Sequence, residues 1–143
     1  VHVDMTDPYC PTLRQAIIAA GRELGGYDIH PTGTYVCTEG PRFETPAEIA
    51  MFAKLGGDLV GMTNVPEVCL AREAEICYST ISMVTNFAAG ISAAPLTHAE
   101  VVDAMEHNSL RLRSLIMKAI EMYDMEEDCS CRHSLQAYGG FTV

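Results

Sequence analysis

The sequence predicts an α/β fold, a largely parallel sheet flanked by helices. Three observations carry that expectation. Segments with helical apolar spacing alternate along the chain with short β-branched or continuously apolar ones, the order that builds a parallel sheet. Glycine and proline mark most changes of period. The composition is globular, 143 residues with 48% hydrophobic and 20% charged, enough for one domain with a real core and too apolar for disorder.

The elements follow in order. Pro11 to Leu24 sets Leu13, Ile17, Ala20 and Leu24 at helical spacing, with Pro11 suited to the first turn and Gly25-Gly26 as the stop. Gly33 to Thr38 is short, β-branched and aromatic, and predicts a strand. Thr45-Pro46-Ala47-Glu48 is a capping box with proline at the first helical position, and Gly56-Gly57 closes that helix. Leu59 to Thr63 predicts a second strand, followed by a helix from about Pro66 to Ala74. Ile76 to Thr85 predicts a third strand, buried and apolar on both faces, which expects a neighbour on each side. Thr97-His98-Ala99-Glu100 is a second capping box, opening the longest helix, which runs to about Tyr123. Residues 1–123 thus form the α/β domain, and 124–143 an aperiodic polar tail carrying Cys129-Ser130-Cys131.

Three strands are few. A buried parallel sheet averages about five or six, so the pattern predicts the second half of a larger α/β subunit. The opening Val1-His2-Val3, with no initiator Met, predicts a processed or truncated product.

Charge excludes some partners. Lys+Arg number 9 against 19 Asp+Glu, a net charge of -10. Nucleic acid and anionic membrane surfaces want a basic face and are excluded as general partners; a small anion in a locally positive pocket is not. No apolar run approaches the roughly 18–20 residues of a membrane span, and no basic-then-apolar leader opens the chain. The expectation is a soluble, cytoplasmic protein. Of the cysteines, Cys37, Cys69 and Cys77 sit in apolar segments, where a thiol acts as a small hydrophobe. Six in a chain this long are too sparse for a secreted disulfide framework.

In open α/β sheets, ligands bind beyond the carboxyl ends of the strands. Three segments leave strands here, at residues 39–44, 63–67 and 86–90, each mixing polar groups with turn formers. A carboxylate, a hydroxyl at a helix start and an amide converging on one edge predict a polar small-molecule ligand.

The succession GTYVCTEGPRFETPAEIAMFAKLGGDLVGMTNVPEVCLARE, from Gly33 to Glu73, resembles the purine nucleoside phosphorylase and methylthioadenosine phosphorylase family. GPRFET, GMTNVPE and the later Thr85-Asn86 match in order and spacing, and HVDMTDPYCPTLRQ resembles the segment the family carries just upstream. The resemblance covers roughly Val1 to Tyr123. It implies a trimeric enzyme in which phosphate attacks C1′ of a purine nucleoside, releasing the base and leaving ribose 1-phosphate. Phosphate is a co-substrate, and neither cofactor nor metal is implied. The family subunit is about twice this length, so a separate chain supplying its first half becomes a candidate partner.

Site residues follow from that resemblance. Glu44 falls where members specific for 6-oxopurines hold a carboxylate that accepts the N1–H of the base; adenine, with a bare acceptor there, is repelled. The ordinary use of such an acid is a second cap for the helix starting near Pro46. Asn86 falls where an amide donates to N7 and O6, acceptors that gain negative charge as the glycosidic bond breaks. Methylthioadenosine members hold an aspartate there, and Ala88 stands where their second aspartate would be. A turn-forming Asn is the plainer alternative.

Thr63 matches a phosphate ligand, though a hydroxyl at a helix start also serves as a cap. Met62 matches the residue lining the ribose; by pattern alone it is core. His98 coincides with the histidine that bonds the ribose 5′-hydroxyl in nucleoside-specific members, and His2 with one that reaches into a neighbouring subunit's ribose site. Arg42 belongs to a loop the family uses for shape and is left out. The family's remaining phosphate ligands lie in its first half. The rival functions are a methylthio-nucleoside phosphorylase, for inosine- or adenosine-type substrates, and an inert truncated binding domain. Cys129-x-Cys131-x-His133 offers three close metal ligands, too few for a tetrahedral site by themselves. Some thermophilic relatives of the methylthio branch end in a similar CxC that takes part in disulfides, so the resemblance implies a redox staple before a metal, with unpaired thiols in a flexible tail as the plainer alternative.

Overall fold

The computed structural model describes residues 2–92 and 97–140. Helix α1 spans Pro11–Leu24, strand β1 Tyr35–Cys37, α2 Pro46–Lys54, β2 Leu59–Gly61, α3 Asn64–Glu73 and α4 His98–Met122. Two short 3-10 turns follow, at Ser130–His133 and Gln136–Tyr138. Contacts divide the chain into two units. One holds residues 1–29, 64–81 and 113–143, the other 30–63 and 82–112. Among the described residues, no helix is long and apolar enough to cross a membrane.

The second unit contains the sheet. β1 and β2 pair in parallel, with Tyr35 opposite Leu59, Val36 opposite Val60 and Cys37 opposite Gly61. Parallel neighbours need a crossover, and α2 supplies it. Both strands are three residues long, shorter than their patterns predict, since only the stretch that shares a ladder counts as strand. Helix α2 begins where the sequence places it. Thr45 caps it, its hydroxyl accepting from the Glu48 amide at 3.3 Å while the Glu48 carboxylate accepts from the Thr45 amide at 2.7 Å.

The expected third strand is corrected. Residues 76–85 form no strand, and Ile76 and Val84 are exposed. An apolar segment on both faces becomes a buried strand only when neighbours share its hydrogen bonds, and no described segment builds a ladder beside it. Its Tyr78 carbonyl accepts from the Cys10 amide at 2.8 Å without starting one.

The first unit is built on α1. Cys10 caps this helix, its sulfur accepting from the Leu13 amide at 3.4 Å, and Gly25 closes it. Ala20, Leu115 and Ala119 form its core, with Ile17, Tyr27 and Ile81 packed around them. A Cβ at Gly21 would stand 2.0 Å from Ile29 Cδ1, so any side chain there requires Ile29 to move. Helix α3 starts at Asn64, earlier than expected. Asn64 is buried and satisfied on both ends of its amide, donating to Tyr9 Oη at 2.7 Å and accepting from Tyr78 Oη at 3.0 Å and Thr80 Oγ1 at 2.8 Å. The tail packs onto this unit. Ser134 donates to the Arg72 carbonyl at 2.5 Å, the Leu135 amide donates to Glu75 Oε1 at 3.0 Å, and Cys129, Cys131 and Leu135 are buried.

Candidate functional site

Most of the expected site residues lie in the unit that holds the sheet: Glu44, Met62, Thr63, Asn86 and His98. Thr38 organises the end of β1. Its amide donates to the Gly61 carbonyl at 2.8 Å, continuing the ladder by one bond. Its hydroxyl donates to Glu44 Oε1 at 2.6 Å. This bond fixes a half-buried carboxylate beyond the strand ends, where the fold class puts ligands. Among the described residues, the other carboxylate oxygen accepts no hydrogen bond, so it is available to a donor.

Glu44 takes no part in capping α2. Thr45 and Glu48 satisfy that helix start, and Glu48 also holds the Arg42 guanidinium with two bonds of 2.8 and 2.9 Å. The Arg42 pair first, then the Thr45 amide and hydroxyl, hold the Glu48 carboxyl at about 2, well below the usual range. Arg42 is exposed and spends its other contact on the Phe43 carbonyl at 3.0 Å. Its work is to shape the loop that presents Glu44.

The loop lies directly on Met62. Gly40 has a φ of +70°, and a Cβ there would stand 2.7 Å from Met62 Sδ. The backbone conformation favours glycine, and a side chain there would also have to push Met62 aside. Met62 is half-buried at the end of β2, and Thr63 follows it, exposed, immediately before the first residue of α3. The third loop reaches the same end of α2, since a Cβ on Gly90 would stand 2.6 Å from Pro46 Cβ. Within it, Asn86 is half-buried, accepts from the Thr85 hydroxyl at 2.6 Å and donates to the Phe87 carbonyl at 2.8 Å. An amide nitrogen carries two hydrogens, so one remains for a ligand.

Two other expected residues make no described contact with this group. His98 is exposed as the first residue of α4, and the Glu100 side chain of its expected capping box lies outside the described residues. His2 belongs to the other unit, exposed, with its carbonyl accepting from Tyr138 Oη at 3.3 Å. Sequence reasoning missed Thr38, although its place at the carboxyl end of a strand was a usable signal. It also missed that Cys10 and Cys77 join the tail cysteines. Their four sulfurs lie within 4.8 Å of one another, while His133 stays exposed and pairs with Asp128 at 2.8 Å.

Residues 1–121 match the family model described as the phosphorylase superfamily. The chain is 54% identical over 139 residues to the 6-oxopurine nucleoside phosphorylase of Pyrococcus furiosus, covering 97% of this chain and 52% of that one. It is 50% identical over 136 residues to the probable S-methyl-5′-thioinosine phosphorylase of Methanopyrus kandleri, covering 95% and 53%. Among solved structures, the methylthioadenosine phosphorylase of Schistosoma mansoni in complex with adenine superposes with a TM-score of 0.84 at 30% identity, covering 96% and 54%. The chain spans about half the length of the curated relatives it matches.

Proposed function

The chain belongs to the phosphorylase superfamily, and we propose that it supplies the base-binding half of a 6-oxopurine nucleoside phosphorylase. In that reaction phosphate attacks C1′ of inosine or guanosine, and the purine leaves as ribose 1-phosphate forms. The carrying observation is the Glu44 carboxylate, fixed by Thr38 through one oxygen and spared from helix capping. An ionised carboxylate accepts the N1–H of a 6-oxopurine and repels the N1 lone pair of adenine. Asn86 donates its remaining amide hydrogen toward N7 and O6. Those atoms become more negative as the glycosidic bond breaks, so the bond strengthens in the transition state.

The other roles are positional. Met62 lines the ribose, Thr63 contributes a hydroxyl to phosphate beside the α3 N-terminus, and His98 bonds the ribose 5′-hydroxyl. His2 serves a neighbouring subunit in a homotrimer. The remaining phosphate ligands come from the half of the fold that this chain does not span, as the same polypeptide or a partner chain. Inorganic phosphate is the co-substrate, and no residue here needs to act as a strong acid or base.

A second substrate is 5′-methylthioinosine, favoured by the relative from Methanopyrus kandleri that is named for it. It shares the base and differs at the 5′ position, where His98 favours a hydroxyl over a thioether. The test, with the half that this chain does not span supplied, is phosphate-dependent release of base from inosine, guanosine, 5′-methylthioinosine and adenosine, with wild type and Asn86→Asp compared. Wild type should cleave 6-oxopurine nucleosides and spare adenosine, and Asn86→Asp should lose about 10²–10³ in rate on inosine. Equal turnover of adenosine and inosine would overturn the base assignment, and preference for 5′-methylthioinosine would move the proposal to the second substrate.

A further inference from the structure

Four cysteines outside the candidate site converge on one point of the first unit. Cys10 caps α1, Cys77 follows α3, and Cys129 and Cys131 belong to the tail. All four sulfurs lie within 4.8 Å of one another. Cys10 Sγ stands 3.8 Å from Cys129 Sγ, and Cys77 Sγ stands 3.2 Å from the same atom. Cys10, Cys129 and Cys131 are buried, with Leu13 packed against them. The thiols are free, and both distances are well beyond the roughly 2.05 Å of a covalent disulfide.

A zinc ion bound by four thiolates holds each sulfur at about 2.3 Å, which makes the edge of the sulfur tetrahedron about 3.8 Å. The two separations from Cys129, 3.8 and 3.2 Å, lie near that edge, and no pair exceeds 4.8 Å. We propose that Cys10, Cys77, Cys129 and Cys131 form a closed structural site for Zn²⁺. Soft thiolates select zinc over magnesium or calcium, and four sulfurs leave no open position for substrate, so the site is structural rather than catalytic. Each thiol releases its proton to solvent as its Zn–S bond forms, and no oxidation state changes, so no oxidant is needed.

Two neighbours suit the net negative charge of such a site. The Arg132 guanidinium and the buried Tyr123 hydroxyl both stand beside Cys77, placed as outer-shell donors to a ligating sulfur. The ion would clip together positions 119 and 52 residues apart, anchoring a tail that has no apolar period of its own. His133, the nearest alternative ligand by sequence, is committed to Asp128 instead.

The test uses the intact chain, purified under reducing conditions, stripped with a chelator and then titrated with Co²⁺ or Zn²⁺. The expected result is one Co²⁺ per chain, with intense tetrahedral visible bands and a sulfur-to-metal charge-transfer band. Before chelation only Cys37 and Cys69 should react with a thiol reagent, and afterwards all six cysteines. Cys131→Ser should lose the bands and Cys69→Ser should keep them. Should Cys131→Ser fail to fold, the wild-type stoichiometry and bands decide alone. A folded, reduced chain that takes up no Co²⁺ would overturn the proposal. So would six reactive thiols before chelation, or peptide mapping that finds these cysteines disulfide-bonded in the native protein.

Discussion

Replacing Glu44 by Gln isolates the charge that is proposed to read the base. The substitution is nearly isosteric, and the Gln carbonyl can still accept from Thr38 Oγ1, the 2.6 Å bond that fixes the side chain. The fold should therefore keep its stability. With its carbonyl held by Thr38, the Gln turns its amide nitrogen to the base, and that nitrogen cannot accept N1–H. A hydrogen bond to a charged group contributes about 1.5–3 kcal/mol, and the expected loss is of that size. That is roughly 10–150-fold in affinity for hypoxanthine. Adenine moves the other way, because the carboxylate repulsion is gone and the new amide hydrogens can reach its N1. Competitive calorimetric titrations with both bases, phosphate present, measure the two shifts together. An unchanged hypoxanthine-to-adenine ratio in a folded Glu44→Gln variant would refute the reasoning.

Further outcomes follow from the loop that presents Glu44. Gly40→Ala forces a side chain into a φ of +70° and against Met62 Sδ; urea unfolding should show a loss of about 1–2 kcal/mol. Thr45→Ala removes the α2 cap and should cost about 1 kcal/mol in the same assay. Glu48 gives the loop an acid limit. Its carboxyl is held at about 2 in the folded chain, below its ordinary value of 4.5, so its contribution is fully present above 4.5 and fades as pH falls toward 2. Acid titration of wild type and Glu48→Gln should converge at the low end, and high salt should shrink their difference, because the pair is exposed.

How much of this was legible depended on whether a signal was local. Pro11 and Gly25 bounded α1, and the Thr45 and Glu48 pair located α2, because caps act within four residues of the groups they satisfy. Residues 76–85 carried an equally clear apolar pattern and yet form no strand. A strand is a property of its neighbours, and local pattern cannot supply them. The same distinction holds at the site. Glu44 and Asn86 could be picked out by the family resemblance, but the tie from Thr38 to Glu44 depends on β1 and its loop folding back together. The tail had no period to read. Its order comes from Cys129, Cys131 and Leu135 packing against segments far away in sequence, a relation visible only in three dimensions.

The central claim is that this chain carries a purine site selective for the 6-oxo base. The most direct measurement is calorimetric titration of the chain, shown folded by circular dichroism, with hypoxanthine and then adenine, each with phosphate present. Hypoxanthine should bind, with adenine weaker by about 10²-fold or more. Adenine binding as tightly as hypoxanthine, or a folded chain that binds neither base, would contradict it.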